Sequence, residues 1–494
     1  MTELMAAFSM IADPLAIASI LAGSVIGIVF GSVPGLTFTM ALSLVLPLTF
    51  GLPPNAAICL LLATYIGGMT GGSISAILIG IPGTPSAAAT MLDGLAMSRR
   101  GQAGLALGYA VIASAFGSIF SLAIMAFAVD FVAKVAIHFG PVELFALVVF
   151  GMSLVCGLSE GSIIKGLIAG VLGLMLMTIG ADDIEGTDRL TFGWPPLLQG
   201  INLVVAMVGL FAVPHLIKSL VDYKLGKSVV ANASDVRTQF PRLGVLRQNL
   251  GLMVRSSTIG TVIGSIPGTG GPIAAFVAYD QAKRFSKESN KFGKGKAEGI
   301  LAPESANNAV TGGAIIPLLA LGIPGDPTTA VMLGGLLIHG IIPGPMLFVE
   351  NKPLVYLIYL AFFFGTISVV LFQSFGIRLF VKVLKIKPHL LMVGILIMCV
   401  IGTFAIRNSF LDVYSMLVVG LIGYGLLIAK IPVAPVVLGL VLGPILEKQF
   451  RTALILSEND YATFLSSPLA IVLYVLTLAF VVMQLVSGRQ KQEP

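Results

Sequence analysis

Charge is what this sequence has least of. Of its 494 residues only 11% are Asp, Glu, Lys or Arg, where a soluble domain carries about 25%. Not one charged residue falls between Pro14 and Leu92, a stretch long enough for several bilayer passes at about 20 residues each. Histidine and cysteine are scarce too. The four histidines are scattered and form no HExxH pattern, so no metal site is expected. Cys59, Cys156 and Cys399 sit far apart in apolar runs without a CxxC spacing, and they read as buried small hydrophobes. The opening MTELMAAFSMIADP holds Glu3 but no Lys or Arg, and so lacks the basic region of a cleaved signal peptide. The net charge of +6 calls for no nucleic-acid partner, because the basic residues lie in short loops between apolar runs and report topology.

What the chain has is apolar length and glycine. It is 56% hydrophobic with 57 glycines, and its mean hydropathy is +1.00. The expected fold is an all-α polytopic membrane protein with about 10–12 membrane segments, some of them broken or re-entrant. Residues 14–216 read as a first transmembrane half, 217–255 as a basic cytoplasmic loop, 256–486 as a second transmembrane half and 487–494 as a cytoplasmic tail. The uncharged run Ser256 to Tyr279 has basic residues on both flanks, Arg247 and Arg255 before it and Lys283, Arg284 and Lys287 after it. A single crossing would put one basic flank outside, so this run is predicted to enter and return, turning near Pro267 and Gly268. The acidic loop with Asp182, Asp183, Glu185 and Asp188 has no second acidic cluster to pair with and does not read as a magnesium site. Its neighbour Trp194, the only tryptophan, is placed as an interface anchor.

One stretch breaks the rules for a plain spanning helix. Gly299 to Ala330 reads GILAPESANNAVTGGAIIPLLALGIPGDPTTA. It carries an acid (Glu304), adjacent amides (Asn307, Asn308), a glycine pair and a Pro-Gly break. Proline removes a helix donor, and glycine permits conformations closed to other residues. Interrupted helices with polar side chains at membrane depth are how transporters build substrate and ion sites. Glu304 with Ser305, Asn307 and Asn308 is therefore the candidate cation-coupling group, for a proton or for sodium near the two amides. The alternative for Glu304 is a cap on a helix that begins after Pro303. Asp93 and Asp326 also stand beside turns, where an acid often caps a helix.

The sequence repeats itself. GSVPG at 31–35 returns as GSIPG at 264–268, and GIPGTP at 80–85 returns as GIPGDP at 322–327. The interval is longer in the second copy by about the length of the basic loop 283–296. Acidic residues precede copy one and Arg99 and Arg100 follow it, whereas a basic loop precedes copy two. The copies are thus expected to lie in opposite senses across the membrane, the arrangement of secondary transporters. Glu304 has no partner in the first copy, where the matching position is Leu62.

Each Pro-Gly break creates helix ends, and a helix start offers unpaired N–H groups and the positive end of the dipole to a carboxylate. The candidate substrate contacts follow from this: Pro34, Gly35 and Thr37; Gly72, Ser73, Pro82, Gly83 and Thr84; Pro267, Gly268, Thr269 and Gly270; Pro324, Gly325, Asp326 and Thr328. No arginine stands at any break, so an anion would be held by dipoles and hydroxyls. For each hydroxyl the plainer alternative is a bond back to its own helix.

The motifs YIGGMTGGSISAILIGIPGTPSAAATMLDG, GTDRLTFG, FGKGKAEGILAPESANNAVTGGAIIPLLALGIPGDPTTAVML and APVVLGLVLGPILEKQFRTAL are spread along nearly the whole chain. On these residues the sequence resembles the TctA family, the large membrane subunits of the tripartite tricarboxylate transporters. The resemblance implies a multi-pass protein of the bacterial inner membrane, not an enzyme, that takes up di- or tricarboxylates such as citrate by Na+ or H+ symport. It implies no cofactor beyond the coupling ion. It also implies two partners, a small TctB-like membrane subunit and a TctC-like periplasmic solute-binding protein. The rival readings are a carboxylate channel without ion coupling and a polytopic membrane enzyme.

Overall fold

The computed structural model of the chain describes residues 2–158, 162–182, 184–224, 236–384, 386 and 388–490. Asp183 and the middle and end of the expected loop and tail, 225–235 and 491–494, lie outside the described residues. The chain begins with α1 (Thr2–Ile11), α2 (Pro14–Ser32), α3 (Phe38–Leu48), α4 (Pro54–Ile79), α5 (Ala88–Met97) and α6 (Ala103–Ala136). Next come α7 (Pro141–Leu158), α8 (Ile163–Met177) and α9 (Leu203–Lys224), and then α10 (Leu243–Gln248), α11 (Leu250–Gly264), α12 (Gly270–Phe285), α13 (Glu298–Leu321) and α14 (Pro327–Ile338). The last group is α15 (Leu347–Glu350), α16 (Lys352–Phe375), α17 (Ile377–Leu384), α18 (Pro388–Arg407), α19 (Phe410–Ile428), α20 (Ala434–Leu456) and α21 (Pro468–Gln490). A two-residue antiparallel ribbon, Gly180–Ala181 against Asp188–Arg189, is the one sheet among the described residues.

The protein is an all-α polytopic membrane protein. Among the described residues eight helical stretches are long and apolar enough to cross a bilayer, and six shorter apolar helices accompany them. The polar helix α13 stands outside both groups, yet every residue from Gly299 to Ala320 is buried. Enclosed by other helices, it needs no lipid-compatible face. The uncharged run around Pro267 is a hairpin: α11 and α12 pack against each other with the turn between them.

Two helix crossings form the centre, α2 on α4 and α11 on α13. Both are closed by glycine, which lets one backbone touch another. A Cβ on Gly27 would strike the carbonyl oxygen of Thr64, one on Gly31 that of Gly68, and one on Gly71 that of Ile28. In the second crossing Gly260 meets the carbonyl of Ala306, Gly264 that of Val310 and Gly313 that of Thr261. Each partner in the second set is displaced from its counterpart by the interval of its own motif, that of GSIPG for α11 and that of GIPGDP for α13. The ends match as well: Gly80 closes α4 at φ +71° and Gly322 closes α13 at φ +72°. Both are left-handed C-caps that glycine takes without strain.

Asp93 does not cap a helix. It lies within α5, fully buried. Its Oδ1 accepts from the N–H of Gly295 at 2.8 Å and of Lys296 at 2.7 Å, and its Oδ2 accepts from Gly293 N–H at 3.0 Å and the Tyr279 hydroxyl at 2.9 Å. Gly293 and Gly295 adopt φ of +77° and +86°, which turns successive N–H groups toward one anion. The basic loop of the second half is thereby clasped by an acid of the first.

Candidate functional site

The four Pro-Gly breaks meet in a closed ring of contacts. Gly83, in the second break, would press a Cβ onto the carbonyl of Gly31 just before the first. Thr39, after the first break, shares a hydroxyl–hydroxyl bond of 2.7 Å with Thr328, after the fourth. The fourth joins the third through Gly268 N–H, which donates to the carbonyl of Gly325 at 2.8 Å. The third returns to the second where Gly271 faces Ser86, 3.0 Å separating a Gly271 Cβ from that of Ser86.

Within the ring the candidate hydroxyls do different things. Thr37 caps α3, accepting from Met40 N–H at 3.1 Å. Ser73 and Thr269 bond back to their own segments, to the carbonyls of Thr70 and Ile266, each at 2.8 Å. Thr84 lies against Gly72 and 3.2 Å from the Ser86 hydroxyl. Pro34, Pro82, Pro267 and Pro324 stand at the turns, while Gly35, Gly268 and Gly270 take positive φ. Asp326 caps α14 with a reciprocal capping box to Thr329, and its Oδ2 accepts from the buried Tyr65 hydroxyl at 2.6 Å.

Glu304 lies inside α13. Pro303 does not end that helix, so Glu304 caps nothing. Pro303 is the sixth residue of α13, so the helix continues at the loss of the bond its N–H would have made to the Gly299 carbonyl. The Glu304 carboxylate is fully buried. Its Oε1 accepts from Thr90 at 2.6 Å and its Oε2 from Ser114 at 3.1 Å. Asn308 donates to the Ser114 hydroxyl at 2.8 Å and accepts from Thr70 at 2.7 Å. Four helices, α4, α5, α6 and α13, thus contribute to one buried polar network with no basic side chain in it. An acid in such a place is neutral or needs a cation. Asn307 points the other way along the ring, donating to the Met69 carbonyl at 3.2 Å. The Ser305 hydroxyl has no partner among the described residues.

Sequence reasoning missed Thr70, Thr90, Ser114 and Tyr65, which are small or aromatic residues in apolar helices with nothing local to mark them. The available signal was the repeat itself. Shifted by the interval between copies, Asn307 falls on Tyr65 and Asp326 on Thr84, positions where the copies differ in chemistry.

A cavity of about 1120 Å³ opens near the far end of α13. Leu321 and Gly322 form part of its wall, with Pro343, Gly344, Glu350 and Lys448. Beside it the acidic loop is pinned to α20. Asp182 pairs with Arg189 at 2.5 Å and Arg451 at 2.9 Å, and Glu447 binds the same two arginines at 2.8 and 3.0 Å. The N–H of Ile184, then the two arginines, hold the Asp182 carboxyl at about 2, against partial burial that pushes it up. Among the described residues no group of three His, Cys, Asp or Glu side chains forms a metal cluster.

The family described as tripartite tricarboxylate transporter TctA family matches residues 17–438. An Agrobacterium vitis protein described as an uncharacterized 52.8 kDa protein in the TAR-I ttuC' 3' region is 37% identical over 475 residues, 95% of this chain and 93% of its own length. A second protein of that bacterium, described as an uncharacterized protein in the TAR-II ttuC' 3' region, is 38% identical over 235 residues, 47% of this chain and 97% of its own. No solved structure matches the chain.

Proposed function

Because this chain belongs to the tripartite tricarboxylate transporter TctA family, we propose that it is the large transmembrane subunit of a binding-protein-dependent secondary transporter. It takes up di- or tricarboxylates of the citrate kind across the bacterial inner membrane, by symport with Na+ or H+. The observation that carries this reading is the ring of four broken helices lying against a helix with a buried, uncompensated acid, Glu304. Helix starts receive the substrate carboxylates. Glu304, with Asn308 beside it, takes the coupling ion, since a carboxylate so enclosed changes its charge only when a cation or proton comes or goes.

The two halves act as inverted repeats. The matched pair of crossings, glycine for glycine and carbonyl for carbonyl, supports the duplication, and the opposite charge of the flanks before the two copies supports the inversion. A small membrane subunit and a periplasmic solute-binding protein complete the system, as the family's description as tripartite suggests. The vestibule at the Gly322 end is where a delivered substrate would enter.

The test is uptake of labelled citrate into proteoliposomes holding this chain with its small partner, with the binding protein added outside. Sodium and proton gradients are imposed separately. Uptake that requires the binding protein and one gradient is the expected result. Leakage independent of any gradient would replace the transporter with a channel.

A further inference from the structure

The four helix starts at the breaks are not alike. Thr37 caps α3 and Asp326 caps α14. Among the described residues no side chain caps α12, nor the short 3-10 turn Pro85–Ala87 that leads into α5. These two uncapped starts are the ones that face each other, at Gly271 and Ser86.

Asn307 is aimed at this contact, on the start of α12. It is fully buried, and its Oδ1 has no hydrogen-bond partner among the described residues. That oxygen would stand only 2.8 Å from a Cβ on Gly271. Leaving a buried amide oxygen unpaired is costly, so the position is built for a donor that arrives from outside. The rim is open to approach, since Pro85 and Ile273 are exposed.

The other half of the ring shows what a filled site looks like. Asn307 corresponds to Tyr65 and Thr84 to Asp326 through the repeat. There the Tyr65 hydroxyl and the Asp326 carboxylate satisfy one another, and Asp326 supplies the anion that the start of α14 calls for. At the Asn307 position the chain supplies no anion, and the neighbouring Thr84 and Ser86 hydroxyls bond each other and the Met69 sulfur instead of the amide oxygen. A bare cation would suit the amide oxygen but not the positive end of the α12 dipole. A ligand with a carboxylate and a neighbouring hydroxyl matches both vacant roles, the same pair of groups that Asp326 and Tyr65 provide.

We propose that the substrate carboxylate is received at the uncapped start of α12, where Ser86 faces it, and that Asn307 Oδ1 accepts a hydrogen bond from a hydroxyl next to that carboxylate. Asn307 is then a specificity residue that favours hydroxy-carboxylates over their deoxy counterparts. This rests on the carboxylate-transport reading and deepens it.

Malate and succinate differ by that one hydroxyl and serve as probes. Their binding to the full chain in lipid nanodiscs, followed by titration calorimetry, should favour malate by about tenfold or more. Asn307→Leu should remove the preference by weakening malate alone. Ser86→Ala, on the facing start, should weaken both acids alike. Equal binding of malate and succinate by the unaltered chain would overturn the inference while leaving carboxylate transport in place, and this comparison needs no variant to fold. Stabilisation by sodium over choline that vanishes in Asn307→Leu, with no hydroxyl preference, would make the position a cation site instead. Failure of malate, succinate, citrate and its deoxy analogue tricarballylate to bind would remove the underlying reading and the inference with it.

Discussion

The hydroxyl of Tyr65 donates to Asp326 Oδ2 at 2.6 Å, joining the long helix of one sequence copy to the break of the other. Neither group has water to fall back on, as both are buried. Tyr65→Phe keeps the ring and deletes only the donor. It is expected to lower the stability of the purified protein by about 1–3 kcal/mol, read as a fall in its thermal melting temperature in detergent. An unchanged melting temperature would mean that another donor already serves Asp326.

The Asp93 clasp makes an ordered prediction. Asp93→Ala strands three backbone N–H groups and the Tyr279 hydroxyl. Asp93→Asn keeps an oxygen for Gly295 and Lys296 and loses the acceptor for Gly293. Alanine should therefore cost more than asparagine, about 3 kcal/mol or above for alanine. Limited trypsin digestion should cut after Lys291 or Lys294 fastest in the alanine variant. Equal cleavage in all three proteins would refute the clasp.

Glu304→Gln retains an acceptor for Thr90 and the shape of the side chain, but it cannot change charge. The variant is expected to insert and fold, and to lose accumulation driven by an imposed ion gradient. Wild-type gradient dependence in this variant would remove Glu304 from coupling.

The acidic loop carries a pH prediction. Asp182 has a depressed carboxyl, at about 2. The stability it contributes is therefore complete above the ordinary carboxylate range and is lost progressively as the pH falls from there through about 2. Trp194, the sole tryptophan, lies on the same connection. Its emission should hold steady on acidification to about pH 3. In Arg451→Gln the transition should move upward, toward about 4. A wild-type transition already near 4 would contradict the clamp.

Much of the membrane architecture was legible because its signals are local. Uncharged length gives the spans, and Pro-Gly pairs give the breaks whatever surrounds them. The basic flanks of Ser256 to Tyr279 were enough to predict the α11–α12 hairpin. Glu304 stood out as an acid in an apolar run, but its setting did not. Proline at position 303 reads as a helix boundary, whereas α13 runs straight through it. The partners of Glu304 come from Thr90 and Ser114, far away in the chain. A threonine that bonds a distant acid and one that bonds its own helix, as Thr64 does with the Leu60 carbonyl at 2.7 Å, look the same in sequence. Asp93 was misread for a similar reason: its acceptors face a loop about two hundred positions away.

The burial of Cys59, Cys156 and Cys399 has a practical side. A thiol reagent that cannot cross a bilayer finds no accessible target on the native protein, so the unmodified chain is its own background for site-directed labelling. One cysteine placed at Ile342, on the vestibule wall, and another at Lys291, beside the Asp93 clasp, would report which compartment each end of the molecule faces. No native thiol would first have to be removed.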